Sequence, residues 1–225
     1  MSLVLAFDCA VSGLGVALVR DGATLAVHRE EGREQAARLV PAIAVLLQQA
    51  GVDRRALAMI AVTIGPGSFT GVRVGLAAAR GLAIALDIPL AGIATTAALL
   101  AQAPEDGRLV MAAIDSHLGD WFCAIRAGVL HDGDSGPFLT TTDALRERLQ
   151  GRPTLIVGPQ ARQLASAVGV DALEVLPDPV VLARLAEVEG IDAWRVRNRT
   201  EGLPRPLYLR GVNITLPTGE RRTVE

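Results

Sequence analysis

Gly65-Pro66-Gly67-Ser68-Phe69-Thr70-Gly71-Val72-Arg73-Val74-Gly75-Leu76 decides how this chain is read. The run sets four glycines and a proline between an apolar strand, Ala58 to Ile64, and a helix that continues to about Asp87. Glycines at a strand-to-helix turn supply positive φ and let a second backbone come close. Ser68 or Thr70 can cap the helix, because a hydroxyl there accepts an otherwise orphaned N–H. Two uses fit such a turn: a packing device, or a cradle that seats a phosphate on the helix N-terminus. The Gly-Lys-Ser/Thr ending of a phosphate-binding loop is missing, and the glycine spacing differs from Gly-x-Gly-x-x-Gly.

Upstream of the run, Leu3 to Asp8 reads as a buried strand. Gly15 to Arg20 and Ala23 to His28 form a hairpin turned at Asp21-Gly22, a favoured type I′ dipeptide. An amphipathic helix from about Arg33 to Ala50 follows, with Ala36, Leu39, Val40, Ile43, Leu46 and Leu47 on one face. Pro41 sits inside that pattern and is expected to kink the helix or shift its start. Downstream, Thr95 to Gln102 reads as a third, short helix.

Composition excludes several function classes. All 22 basic residues are arginine, so no lysine is available for a Schiff base or a phosphate loop. A net charge of −2 gives no bulk attraction to nucleic acid. Half of the 225 residues are apolar, enough for a sizeable core. Cys9 and Cys123 stand far apart in strand-like runs and read as buried free thiols of a reducing, cytoplasmic compartment. The opening Met1 to Asp8 lacks the basic start of a signal peptide, and no membrane span is expected.

The second half echoes the first. Composition shifts at Pro104-Glu105-Asp106-Gly107, which divides the chain into 1–103 and 104–225. Leu109 to Ile114 is apolar and ends at Asp115 as the first strand ends at Asp8; Ala124 follows Asp115 at the interval that separates Ala17 from Asp8. Helix and strand then alternate: Thr142 to Leu149, Thr154 to Val157, Pro159 to Val168, Leu173 to Leu176, Pro179 to Glu189. The pattern implies an α/β protein of two duplicated domains with mixed sheets flanked by helices.

That architecture resembles the actin-like ATPase (RNase H-like) fold, whose active members grip nucleotide phosphates and a metal with a loop in each half. Asp8, Ser12 and Gly13 are then a vestigial first loop. The second half offers Asp115-Ser116-His117-Leu118-Gly119-Asp120 in place of Asp-Gly-Gly-Thr. Gly65-Pro66-Gly67-Ser68-Phe69-Thr70-Gly71-Val72-Arg73, with Leu5-Ala6-Phe7-Asp8, Leu39-Val40-Pro41 and Pro206-Leu207-Tyr208-Leu209-Arg210, resembles the bacterial TsaB (YeaZ) family of tRNA threonylcarbamoyladenosine proteins. The resemblance implies a non-catalytic subunit with no tightly bound cofactor of its own. Its expected partners are the catalytic paralogue TsaD and the ATPase TsaE, which carry the ATP and metal, with tRNA met through the complex. It also admits a homodimer in isolation.

The catalytic relatives carry a metal-binding His-x-x-x-His after the equivalent of Pro89; here Leu90 to Ala97 contains no histidine. His28, His117 and His131 form no zinc spacing. The start Arg33-Glu34-Gln35-Ala36 departs from the family's His-Ser-Glu. The superfamily's older protease label finds neither His-Glu-x-x-His nor Gly-x-Ser-x-Gly.

On the helix after the glycine run, Val72, Leu76, Ala79, Ala83 and Leu86 make a core stripe. Gly71, Gly75, Ala78, Leu82 and Ala85 make a small-residue face, and Arg73, Ala77, Arg80, Ile84 and Asp87 a mixed rim. The resemblance favours a partner interface in which this helix and the Arg33–Ala50 helix pair with their counterparts. The expected contact residues are Gly71, Arg73, Gly75, Ala77, Ala78, Arg80, Leu82, Leu39 and Ile43. Arg195, Arg197 and Arg199 share one face if their segment is extended, and Trp121 and Trp194 read as packing residues. The Asn213-Ile214-Thr215 sequon carries no meaning in a cytoplasmic chain, and the tail after Arg210 reads as a hairpin, an interface strand or disorder. Two further function classes stand beside the subunit reading: an ATP-dependent small-molecule kinase-like enzyme, which would bind ATP alone, and a free-standing RNA-binding protein, which would bind tRNA in a salt-sensitive way.

Overall fold

Strand β1 (Leu3–Asp8) is buried throughout, as a charge-free run ending in one aspartate requires. A computed structural model of the chain describes residues 2–32, 34–126, 135–210, 212–215 and 221–224. Strands β2 (Leu14–Arg20) and β3 (Ala23–Glu30) form the expected hairpin, turned where Asp21 and Gly22 both have positive φ. Helix α1 (Gln35–Gln49) contains Pro41 in its interior without a break in the helix; Arg33 lies outside the described residues. Strand β4 (Met59–Thr63) feeds α2 (Phe69–Leu86), followed by β5 (Leu90–Ile93) and the short α3 (Thr95–Leu100). The second half contains β6 (Leu109–Asp115), β7 (Trp121–Arg126), β8 (Ser135–Thr140), α4 (Thr142–Leu149), β9 (Thr154–Gly158), α5 (Ala161–Val168) and β10 (Asp171–Glu174). Helices α6 (Pro179–Glu189) and α7 (Ile191–Thr200) precede a hairpin of β11 (Val212–Thr215) and β12 (Arg221–Val224).

The sheet orders are β3-β2-β1-β4-β5 and β8-β7-β6-β9-β10, the same plan twice. In each, the first strand pairs antiparallel with the next and parallel with the one beyond the helix. Side-chain alternation then splits each core into two faces. On the first sheet, Leu5, Phe7, Val16 and Leu18 pack against α1 and α2, while Val4, Ala6, Ala17 and Val19 pack against α6 and Trp194.

That second contact corrects the domain division. Pro104 separates the sheets, but 104–225 is not one structural unit: α6 packs on β1, β2 and β4, and Leu203 packs into the core under α1 and α2. Buried Val180, Leu182, Ala183 and Ala186 drive this return. A second correction concerns Arg195, Arg197 and Arg199, which lie on helix α7 rather than on an extended segment. Arg197 stacks on Trp194 and pairs with Glu189, so the three do not share one face. Asn198, on the same helix, accepts from the Leu90 N–H at 2.7 Å and donates to the Leu90 carbonyl at 3.0 Å along β5. Helix α2 is long and apolar enough to cross a bilayer, with mean hydropathy 1.4. In the fold its buried stripe (Val72, Leu76, Ala79, Ala83) packs into the first core.

Candidate functional site: an exposed helical face beside an acidic cleft

The glycine run is spent on close packing. Ser68 caps α2, its Oγ accepting from the Gly71 N–H at 3.2 Å, while its own N–H donates to the Ala10 carbonyl at 2.6 Å. Gly67 has φ +154°, and a Cβ there would sit 2.2 Å from the Ala10 carbonyl oxygen. A Cβ at Gly71 would sit 1.9 Å from the Cys9 carbonyl oxygen. The start of α2 thus rests on the backbone leaving β1. Gly65 and Pro66, joined by a cis bond, are tied in turn: the Gly65 carbonyl accepts from the Thr95 N–H, and the Ile64 carbonyl from the Leu207 N–H, each at 2.8 Å.

The cleft beside it is acidic. A cavity of about 430 Å³ between the halves is lined by Asp8, Ser12, Arg29, Glu30, Glu31 and Asp178, among others. Asp8 Oδ1 accepts from the Ala10 N–H at 3.0 Å and from Thr63 Oγ1 at 2.6 Å. Burial pushes the Asp8 carboxyl up to about 6, against the pull of those two hydrogen bonds. Ser12 lies on the rim, but Gly13 packs on β3, where a Cβ would meet the Glu30 carbonyl oxygen at 2.1 Å. Among the described residues one arginine lines the cleft, Arg29, which is paired with Asp178 at 2.9 Å.

Nor do the two aspartates converge. A faithful repeat of the Asp8–Gly15 pair would set Asp115 opposite Phe122, yet Asp115 pairs with Trp121 and Phe122 with Ile114. Asp8 therefore shares a face with Val4 and Ala6, toward α6, whereas Asp115 shares one with Met111 and Ala113, toward α4 and α5. The equal sequence interval does not translate into equivalent positions, and Asp115 caps its own turn, accepting from the His117 N–H at 2.7 Å. Among the described residues, carboxylates outnumber arginine in the cleft lining, and that arginine is already paired.

The outer faces of α1 and α2 are different. Along α2, Phe69, Arg73, Ala77, Gly81 and Ile84 recur at helical spacing and are all exposed, Phe69 to 47 % and Ile84 to 70 %. On α1, Ala37, Val40 and Ala44 are exposed, Val40 to 60 %. Four expected contact residues are corrected here. Gly71, Gly75, Leu39 and Ile43 are buried in their own domain, the glycines against Cys9 and Val62 and the other two in the core under the first sheet. Ala78, Arg80 and Leu82 are half-buried, and Arg80 donates to the Pro204 carbonyl. Val40, Ala44 and Gly81 are exposed on the same helices and were not among the expected contacts; an apolar pair four apart on the far side of α1 is the signal for the first two.

At one end of this face the Arg73 guanidinium lies 3.6 Å from the Phe69 ring centroid, and its Nε–H donates to the Tyr208 hydroxyl at 3.0 Å. Elsewhere the tryptophans pack as expected, Trp121 donating to Thr142 Oγ1 and Trp194 to the Ala186 carbonyl, each at 3.1 Å. Cys9 and Cys123 are free and buried, and burial pushes both thiols up, Cys123 to about 12. His131 lies outside the described residues, and among those described no group of three metal-ligating side chains occurs.

The family model for TsaD, tRNA N6-adenosine threonylcarbamoyltransferase, matches residues 26–117. The tRNA threonylcarbamoyladenosine biosynthesis protein TsaB of Escherichia coli is 33 % identical over 65 % of this chain and 66 % of its own length. The Bacillus subtilis protein of the same name is 31 % identical over 54 % of each chain. The alignments therefore span two thirds or less of these curated relatives. The solved structure of YeaZ from Pseudomonas aeruginosa is 28 % identical, with a TM-score of 0.72 over 93 % of this chain and 100 % of that one. A ROK hexokinase from Thermus thermophilus, at 13 % identity and TM-score 0.50, shares the two-domain actin-like fold alone. With the glycine motif and the fold in place over nearly the whole chain, these matches establish that the chain belongs to the TsaB/YeaZ family.

Proposed function

We propose that this protein is a non-catalytic subunit required for threonylcarbamoylation of N6 of a tRNA adenosine, acting by docking its α1–α2 face on the TsaD-type catalytic paralogue. The observation that carries the proposal is that face: two helices on the first sheet with an outward apolar stripe, Val40 and Ala44 beside Ala77, Gly81 and Ile84. The paralogue is the natural occupant, because a partner of the same fold offers the same pair of helices. In this reading the TsaE-type ATPase joins the pair, ATP and metal reside on the partners, tRNA is met through the complex, and the protein works in the cytoplasm. The acidic cleft supports the assignment of nucleotide to the partners.

Mass spectrometry of tRNA nucleosides from a reaction reconstituted with the cognate pathway proteins tests this. Modified adenosine is expected only when this chain is present. Equal product without it overturns the proposal, and tight ATP binding by the isolated chain would move the reading toward a kinase-like enzyme.

A further inference from the structure

We propose that Arg73 is a preset receptor for a carboxylate of the docking protein, fixing the register in which the partner's helices lie on the α1–α2 face. The inference rests on the reading of that face as a docking surface. The guanidinium is positioned from two sides before any partner arrives. It stacks on Phe69 at 3.6 Å and stands 5.8 Å from the Tyr208 ring centroid, and its Nε–H is taken by the Tyr208 hydroxyl. Tyr208 is anchored by its neighbours: the Leu207 N–H donates to the Ile64 carbonyl at 2.8 Å, and Arg210 pairs with Asp120 of the second half.

With Nε engaged, the end-on edge formed by Nη1 and Nη2 remains, and it matches the two oxygens of a carboxylate. Among the described residues no carboxylate lies in salt-bridge reach of Arg73, whereas Arg38 and Arg108 are paired with Glu30 and Asp106. The rest of the stripe, Ala77, Gly81 and Ile84, is uncharged. One fixed cation at the end of an apolar stripe suits a single acidic side chain on a partner helix, and it penalises any register that leaves the charge covered and unpaired. An RNA backbone is gripped by several cations together. Here the other arginine on this side of α2, Arg80, is committed to the Pro204 carbonyl.

Calorimetric titration of the full chain with the cognate TsaD-type subunit tests the proposal. Ala77→Trp reports on the face, and Arg73→Glu on the receptor. Arg73→Glu is expected to weaken binding at least about thirtyfold, as for a truncated or reversed charge pair at an interface. Arg73→Lys should weaken it less, and Tyr208→Phe, which keeps the ring and removes the acceptor, by about tenfold or less. Exchange of the matching partner carboxylate for arginine should restore binding to Arg73→Glu. Circular dichroism and melting confirm that each variant is folded.

If Ala77→Trp and Arg73→Glu both bind as the parent does, the docking face itself is wrong. If Ala77→Trp weakens binding and Arg73→Glu does not, the face stands and the receptor is overturned. If Arg73→Glu leaves the protein partner bound and instead weakens tRNA binding by the assembled complex, the oxyanion is a phosphate and the carboxylate assignment falls.

Discussion

In the first half, β1 and β2 set Asp8 opposite Gly15 and place it in the lining of the cleft; in the second, β6 and β7 set Asp115 opposite Trp121, where it caps its own turn. The halves nonetheless share a strand order and a contact beneath it. Gly71, in the first turn of α2, meets the Cys9 carbonyl just past β1, and Gly158, the last residue of β9, meets the Ala113 carbonyl within β6, with a Cβ 2.1 Å away. The halves thus share a strand order and joints made by glycines pressed against a neighbouring backbone, and they differ in where their first-strand aspartates stand. Backbone contacts this close tolerate no added atom, whereas a one-residue difference in hairpin register moves an aspartate to the other face of its sheet.

The comparison breaks first at the joints. Gly71→Ala and Gly158→Ala should each cost about 3 kcal/mol or more, since a Cβ would overlap backbone that cannot rotate away. Urea unfolding measures both, and a loss under about 1 kcal/mol in either half would mean that the joint is not shared.

Next comes the pair of aspartates. Burial holds Asp8 at about 6, above the ~3.9 of an unfolded chain. Between those values the native state holds a proton that the unfolded state has released, so stability falls as pH rises from about 4 to about 6. The full penalty above that window is about 3 kcal/mol, from roughly two pH units. Asp8→Asn keeps an oxygen for the Ala10 N–H and the Thr63 hydroxyl, and should stabilise at pH 7 by up to that amount while changing little at pH 4. Unfolding curves at both pH values check the sign; a variant less stable at pH 7 than the parent would refute it.

Smaller effects sharpen the contrast between inner and outer faces. Gly81 has nothing within 4 Å of its absent Cβ, so Gly81→Ala should raise stability by about 1 kcal/mol on helix propensity. A loss in thermal melting would place a hidden neighbour there. Asp115→Asn, in a partly solvated turn whose hydrogen bond an amide oxygen preserves, should shift stability by less than about 0.5 kcal/mol.

Much of this plan was legible beforehand. Strands announced themselves through apolar runs, and Pro179 to Glu189 was read to the residue because Asp178 and Pro179 mark a helix start and Gly190 its end. Three things stayed hidden for physical reasons. Hairpin register is a property of two strands together, so the interval between Asp8 and Ala17 could not reveal a slip in the second hairpin. Arginines at alternate positions look like a strand edge until Trp194 and Ile191 bury a helical face. Of the residues expected at a partner interface, Arg73 and Ala77 are outward, whereas Gly71 and Leu39 turn inward because small and large apolar residues serve a core as readily as an interface.

A sheet that ends in unanswered peptide groups recruits whatever strand drifts past, including another copy of itself. Asn198 presents to Leu90 the donor and acceptor that a neighbouring strand would bring, so at that position the margin of the first sheet is already occupied from within the chain. Growth by adding strands is discouraged there, and an exposed helix face, unlike a bare strand edge, selects what it meets by side chains rather than by backbone.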